Sequence, residues 1–237
     1  MQLGQKQILI VLAASLLLAV VVFAKLQLQR ADVLPVNEVQ LQGVFEHVDD
    51  GLLAKTVLPV IRGNFFTVNV DAIHAQVSAF PWVAYVWVDR IWPNMLRIRI
   101  QEEQAVAVWN DAGLLNGNAK LFVQGGNDEA LHARLFGPEG EQGRVLEKQL
   151  ALDALLQDYA LRISSLKVDE RLSWQAQLDN GLLLELGRKD IELRVRRFVE
   201  VYQSFLQKQL ADIEAVDLRY ANGFSVRWKA SVNADKK

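Results

Sequence analysis

The sequence predicts an α+β protein, with one amino-terminal apolar helix followed by two soluble units of mixed strands and helices. Three observations carry this. Ile8 to Ala24, ILIVLAASLLLAVVVFA, is an uncharged run in which twelve residues are Ile, Leu, Val or Phe. Beyond it, apolar residues alternate between a spacing of two and a spacing of three to four, the periods of strand and helix. Nothing downstream repeats the apolar run, so about 210 residues follow outside a membrane, enough for one large or two small cores.

At about 1.5 Å per residue the run reaches roughly 25 Å as a helix, close to the thickness of a hydrocarbon core of about 30 Å. With its flanks it reads as a single transmembrane helix over residues 7–25, preceded by a short cytoplasmic tail (1–6) and followed by a linker (26–34). Val22 and Ala24 also suit a signal peptidase, so a cleaved leader is the competing reading; against it, the run exceeds the usual leader core of about 7 to 15 residues. Lys25 and Arg30 offset Lys6 and the terminal amine, and charge leaves the orientation open. The larger carboxy-terminal part is expected to cross.

A net charge of -2 with 23% charged residues is neither the basic field of a nucleic-acid binder nor the acidity of a disordered chain. Without cysteine there are no disulfides, thiolate metal sites or cysteine nucleophiles. His47, His74 and His132 lie far apart with no ligand-like spacing and read as surface or packing residues. Glu102 and Glu103 are adjacent, so in a strand they point to opposite faces and cannot act as a carboxylate pair unless a bulge intervenes. Gly125 and Gly126 lack the surroundings of a phosphate loop. The expectation is a protein that is not an enzyme, with no cofactor, metal or small-molecule substrate.

Val36, Val39, Leu41 and Val44 alternate loosely with polar residues and predict a first strand after Pro35. Asp49 and Asp50 then open a short helix, GLLAKTVLPVI, limited by Pro59. Val70, Ile73, Val77 and Phe80 share one face of a helix from Asn69 to Phe80, closed by Pro81. Two strands follow, WVAYVWVDRI and MLRIRIQEE, the second setting Leu96, Ile98 and Ile100 against Arg97, Arg99 and Gln101. The order β-α-α-β-β lets two helices cover one face of a three-stranded sheet while the other face or an edge stays open.

Further on, GLLNGNAKLF predicts a hairpin around Asn116 and Gly117. A turn at Gly137–Gly140 precedes a helix from Arg144 to Tyr159 with Val145, Leu146, Leu150, Leu152, Leu155 and Leu156 on its apolar side. Strands ISSLKV and SWQAQL, a turn at Asp179–Gly181 and strand LLLEL lead to a second helix from Asp190 to Leu210. In the closing segment Val216, Leu218 and Tyr220 alternate with polar residues, Ala221–Gly223 turns, and Phe224, Val226 and Trp228 alternate with Ser225 and Arg227. The last strand has no sequence-next neighbour, which suits a sheet edge, and such an edge is either protected or used to add a partner's strand. Proline at Ser225 or Arg227, whichever directs its N–H outward, should then block a partner. Trp82, Trp87, Trp92, Trp109 and Trp174 are expected to pack, while Trp228 stands on the candidate edge strand.

The β-α-α-β-β segment resembles a POTRA domain, and the whole chain resembles the FtsQ-type (FtsQ/DivIB family) cell division proteins of Gram-negative bacteria. The residues that carry the likeness are Phe80–Val83, Val88–Arg90, Trp92, Pro93, Leu96, Ile98, Glu102 and Trp109, then Leu135–Gly140, Ser173 with Trp174, Leu186–Arg188, Arg197–Glu200 and Val216–Tyr220. The resemblance implies a POTRA domain over 35–103, a carboxy-terminal β-rich domain over 104–229 with an antiparallel sheet and two packing helices, and a polar tail over 230–237. It implies a single-pass type II inner-membrane protein, bulk periplasmic, at the division septum. Its role would be a non-enzymatic divisome scaffold that links early and late division proteins and binds FtsB, with FtsL, through its last strand. The partner-binding residues would be Arg219, Tyr220, Asn222, Gly223, Phe224 and Trp228, and Val88 and Arg90 would match POTRA positions linked to recruitment of proteins such as FtsK. The pattern departs at Leu172, where relatives can carry a basic residue that here stands one step earlier as Arg171, and at Ala105, where relatives tend to have proline. Another POTRA-type envelope protein that binds or transports polypeptides is the alternative, and a periplasmic enzyme released by signal cleavage is a third.

Overall fold

The computed structural model describes residues 4–30, 32–124, 133–221 and 223–229. The chain divides into two compact units, Met1–Glu103 and Gln104–Lys237.

The first unit begins with helix α1 (Gln5–Leu28), whose stretch Gln7–Leu28 is long and apolar enough to cross a membrane and exposes its apolar side chains throughout. Strand β1 (Glu38–Gln42), helices α2 (Asp50–Val57) and α3 (Val70–Ser78), and strands β2 (Val83–Ile91) and β3 (Met95–Glu102) follow. The sheet order is β1-β3-β2, with β1 parallel and β2 antiparallel to β3. Each helix starts on a side-chain cap: the Asp49 carboxylate accepts from Leu52 N, and the Asn69 side chain from Ala72 N. Leu53, Val57, Ile73 and Val77 from the helices meet Val86, Leu96, Ile98 and Ile100 from the sheet in one buried cluster. The strand alternation therefore places its apolar side under the helices, and leaves Tyr85, Trp87 and Arg99 on the open face. Trp87 and Trp92 are exposed, Trp92 to 74%, contrary to the expectation that they pack. Neither lies under a helix: Trp87 is on the uncovered face, and Trp92 sits at the turn between β2 and β3.

Among the described residues the second unit forms a nine-stranded sheet. Its strands are β4 (Ala105–Trp109), β5 (Gly113–Asn116), β6 (Leu121–Gln124), β7 (Arg134–Phe136), β8 (Ile163–Val168), β9 (Trp174–Leu178), β10 (Leu183–Gly187), β11 (Ile213–Asp217) and β12 (Ser225–Trp228). They lie in the order β12-β11-β10-β9-β8-β7-β4-β5-β6. Helix α4 (Gln142–Leu156) joins β7 to β8, and α5 (Ile191–Tyr202) joins β10 to β11. Both of those strand pairs are parallel, as is β4 with β7, so the sheet is mixed rather than antiparallel. The physical reason is that parallel neighbours need a crossover connection, and each helix is one.

Trp174, Phe198, Leu135, Leu152 and Leu156 are among the largest fully buried side chains of this core. Two helical expectations change. Leu150 is 58% exposed while Gln149 is buried in its place, and α5 ends at Tyr202, a 3-10 helix (Leu206–Asp212) carrying the chain on to β11. The hairpin between β5 and β6 stands where Asn116 and Gly117 predict it, but its left-handed residue is Ala119 (φ 58°). The Asn116 side chain supports it by accepting from Asn118 N and Lys120 N. Gly125, Gly126 and His132 lie outside the described residues.

Candidate docking edge

β12 ends the sheet order and pairs with β11 alone among the described residues. The register sets Ala215 opposite Arg227, Val216 opposite Val226 and Asp217 opposite Ser225, with a bulge between Ile213 and Ala215. Two backbone hydrogen bonds fix which groups face outward. Leu218 N donates to Glu185 O (2.9 Å) on the far flank of β11, so Val216 and Leu218 face β10 while Ala215 and Asp217 face β12. Lys229 N donates to Asp212 O (2.8 Å), so Ser225, Arg227 and Lys229 face inward. Phe224 and Val226 are thus left with N–H and C=O directed away from the sheet. Neither Ser225 nor Arg227 directs its N–H outward, which corrects the position at which proline tests the edge.

The side chains follow the predicted alternation: Phe224, Val226 and Trp228 are half-buried against the core, and Ser225 and Arg227 are exposed. The strands are shorter than the alternation suggests. β11 stops at Asp217, leaving Arg219 and Tyr220 in the connection, with Tyr220 57% exposed. Gly223 is exposed and a Cβ there would meet nothing within 4 Å. Asn222 lies outside the described residues.

The connection is held by ion pairing and by α5. Arg219 folds back on Asp217, its Nη2 donating to Oδ2 (2.7 Å) and its Nε and backbone N to Oδ1 (2.9 and 3.0 Å). These hydrogen bonds outweigh burial and hold the Asp217 carboxyl below the usual carboxylate range, while Asp217 raises the Arg219 pKa. From α5, Arg197 Nη1 donates to Ala221 O (2.6 Å) and Arg194 Nη1 to Leu186 O (2.5 Å). Gly187 (φ 76°) gives these arginines room, since a Cβ there would lie 2.6 Å from Arg194 Nη1 and 3.1 Å from Arg219 Cγ. Sequence reasoning did not assign Arg194 or Arg197 to this site; their spacing along the helix marks only a polar flank. Leu172 (φ 60°) sits in a turn that Asp169 closes by accepting from Arg171 N and Ser173 N, so Arg171 and Leu172 belong to no strand.

In the first unit, Val88 and Arg90 lie on β2, an edge strand. Glu103 N donates to Trp82 O and Asn37 N to Asn94 O, which turns the backbone groups of Val86, Val88 and Arg90 away from β3. The Val88 side chain packs on the core, and Arg90 Nη2 donates to Val68 O (2.8 Å). Glu102 has a structural task. Burial works to raise its pKa, but the N–H groups of Val48, His47 and Glu46 and the His47 ring, all directed at the carboxylate, hold it low. His47 also stacks on Trp82, with ring centroids 3.6 Å apart. His74 lies 3.4 Å from Ser78 Oγ.

Two family models match the chain: one described as POTRA domain, FtsQ-type, over residues 34–103, and one described as Cell division protein FtsQ/DivIB, C-terminal, over residues 107–219. The second match ends at Arg219, just short of the outward strand. Similar relatives include Cell division protein FtsQ of Methylomonas methanica, 32% identical over 196 residues (82% of this chain, 79% of the relative). That of Shewanella oneidensis is 33% identical over 202 residues (85% and 77%), and that of Aliivibrio fischeri 34% over 202 residues (84% and 78%). With both matched segments in order behind an apolar helix, and with relatives of this identity aligned over most of their length, the chain belongs to the FtsQ family of cell division proteins.

Proposed function

We propose that this chain is a non-enzymatic scaffold of the divisome, a single-pass type II inner-membrane protein with its bulk in the periplasm at the septum, which takes up FtsB, and FtsL with it, by strand addition to β12. The observation that carries the reading is the pair of outward backbone groups at Phe224 and Val226, on a strand with one neighbour among the described residues. A strand edge of this kind recognises an extended peptide by main-chain hydrogen bonds, and exposed Tyr220 beside it supplies selectivity. Of the six partner-binding residues, Phe224 offers backbone as well as side chain. Arg219 serves mainly by shaping the turn through Asp217. The match to the FtsQ/DivIB carboxy-terminal region weighs against a POTRA protein dedicated to transporting polypeptides.

A second docking strand has its own observation: β2 is an edge whose outward groups include Val88 and Arg90, which suits recruitment of FtsK or another division protein. The main reading is tested by capturing the full chain from cross-linked membranes and probing for FtsB and FtsL. Both are expected with the natural chain and lost with Val226→Pro. Capture of both at natural levels by a folded Val226→Pro chain refutes strand addition at β12.

A further inference from the structure

At the membrane-proximal end of the first unit, a buried asparagine holds the exit of the span. Asn64 is fully buried, and its Nδ2 donates to Leu28 O (2.6 Å) and Arg30 O (2.7 Å), the last carbonyl of α1 and one just beyond it. Its Oδ1 accepts from Phe66 N and Thr67 N, both at 2.9 Å. Phe65 N donates to Leu34 O, and Asn64 bridges Pro35, so the 64–67 turn is tied along the segment that leaves the helix. These distances, with the bonds of one amide group, bring Phe66 N within about 8 Å of Leu28 O. The headgroup region beside the hydrocarbon core is about 5–8 Å deep on each side.

Two exposed aromatics stand at this end. Phe66 is 48% exposed next to buried Phe65. Trp92 lies in the β2–β3 turn, where Asn37 N donates to Asn94 O and so joins the turn to the same exit segment. Lys25, Arg30 and Arg62, all exposed, supply positive charge around the same exit.

We infer that this rim is a lipid-binding surface: Phe66 and Trp92 insert at the boundary of headgroups and acyl chains, basic residues meet anionic headgroups, and the Asn64 clamp seats the domain on the bilayer. Aromatic side chains favour that boundary because it takes up an apolar ring without burying backbone. The surface continues directly from the span, and the inference is independent of what pairs with β12.

The chain has no cysteine, so single cysteines carry a nitroxide label at one known site. Full-length Phe66→Cys, Trp92→Cys and Gln101→Cys chains are reconstituted in nanodiscs of phosphatidylethanolamine and phosphatidylglycerol, and collisions with oxygen and with a nickel chelate are measured. Gln101 is exposed near the other end of β3, roughly 20 Å from Met95. Labels at 66 and 92 are expected to be shielded from nickel and rich in oxygen collisions, and the label at 101 the reverse. Adding Asn64→Ala to Phe66→Cys should abolish the shielding. Equal nickel access at 66, 92 and 101 overturns the lipid surface, and shielding that survives Asn64→Ala overturns the clamp.

Discussion

Val226→Pro separates recognition from folding because the Val226 N–H faces away from β11. In the free protein the substitution removes no ladder hydrogen bond, and Ser225 before it is already extended, the conformation a following proline favours. The cost to folding is the half-buried valine packing, about 1 kcal/mol. In the proposed complex, proline removes the outward donor at Val226 and leaves a carbonyl of the incoming strand unsatisfied. A lost hydrogen bond of about 1 kcal/mol and an orphaned acceptor of about 1–2 kcal/mol total about 2–3 kcal/mol, roughly 30- to 150-fold in Kd. Arg227→Pro is the contrast: its N–H faces Ala215, so proline there breaks the ladder, orphans the facing carbonyl and lowers folding stability by about 2–3 kcal/mol. The assay is calorimetric titration of the full chain with the periplasmic segment of FtsB, beside thermal unfolding of each variant. Binding by a folded Val226→Pro chain within about threefold of natural refutes the assignment of the outward edge.

Glu102→Gln should lower stability by about 1.5–3 kcal/mol at pH 7, measured by urea unfolding, since the charge on the carboxylate strengthens the bonds from Glu46, His47 and Val48. The folded Glu102 pKa lies below its ordinary value of 4.5, so the contribution is present above that value and is lost as pH falls through the folded pKa; the glutamine variant should lack this acid-dependent loss. Gly187→Ala should cost about 1–2 kcal/mol through its left-handed φ, and more where the new Cβ displaces Arg194 from Leu186 O, read as a lowered Tm. Arg197→Met should leave Tm little changed, because its buried Nε has no hydrogen-bond partner among the described residues and its removal offsets the bond lost to Ala221 O; amide exchange through the Ala221 turn should quicken.

The local periods of the chain were legible where one face is buried and the other wet. Leu96, Ile98 and Ile100 are buried while Arg97, Arg99 and Gln101 are not, and Ile73 and Val77 sit on the covered face of α3, because burial imposes the pattern that the sequence displays. What pattern does not encode is partnership between strands. Alternation in Phe224, Val226 and Trp228 reads out the side-chain faces, but the direction of each N–H depends on which flank the neighbour occupies, so the proline position was misread. The parallel pairs of β7 with β8 and β10 with β11 were hidden for the same reason. Asn64 left no signal at all, since a single polar residue in a turn looks the same whether it faces water or clamps a helix exit. Trp92 was misjudged because aromatic size suggests burial, while its place at a strand turn leaves it outside the core.

β12 differs from an ordinary frayed terminus in how its inner flank is secured. Two contacts hold the ribbon to neighbouring segments, Arg197 on Ala221 O and Lys229 Nζ on Ala211 O at 2.8 Å, and Arg219 on Asp217 braces its connection from within. Phe224, Val226 and Trp228 add packing on the core face, so β12 is fixed on one flank and on one side before any partner arrives. Ordering a backbone residue costs about 1–2 kcal/mol, and a strand already ordered over Ser225–Trp228 spares the complex that cost on the receptor side. The incoming peptide then bears the ordering alone. With net hydrogen bonds of about 1 kcal/mol each, an edge held in place beforehand favours strand addition, and on the proposed reading Arg197 of α5 contributes to it by fixing the turn at Ala221.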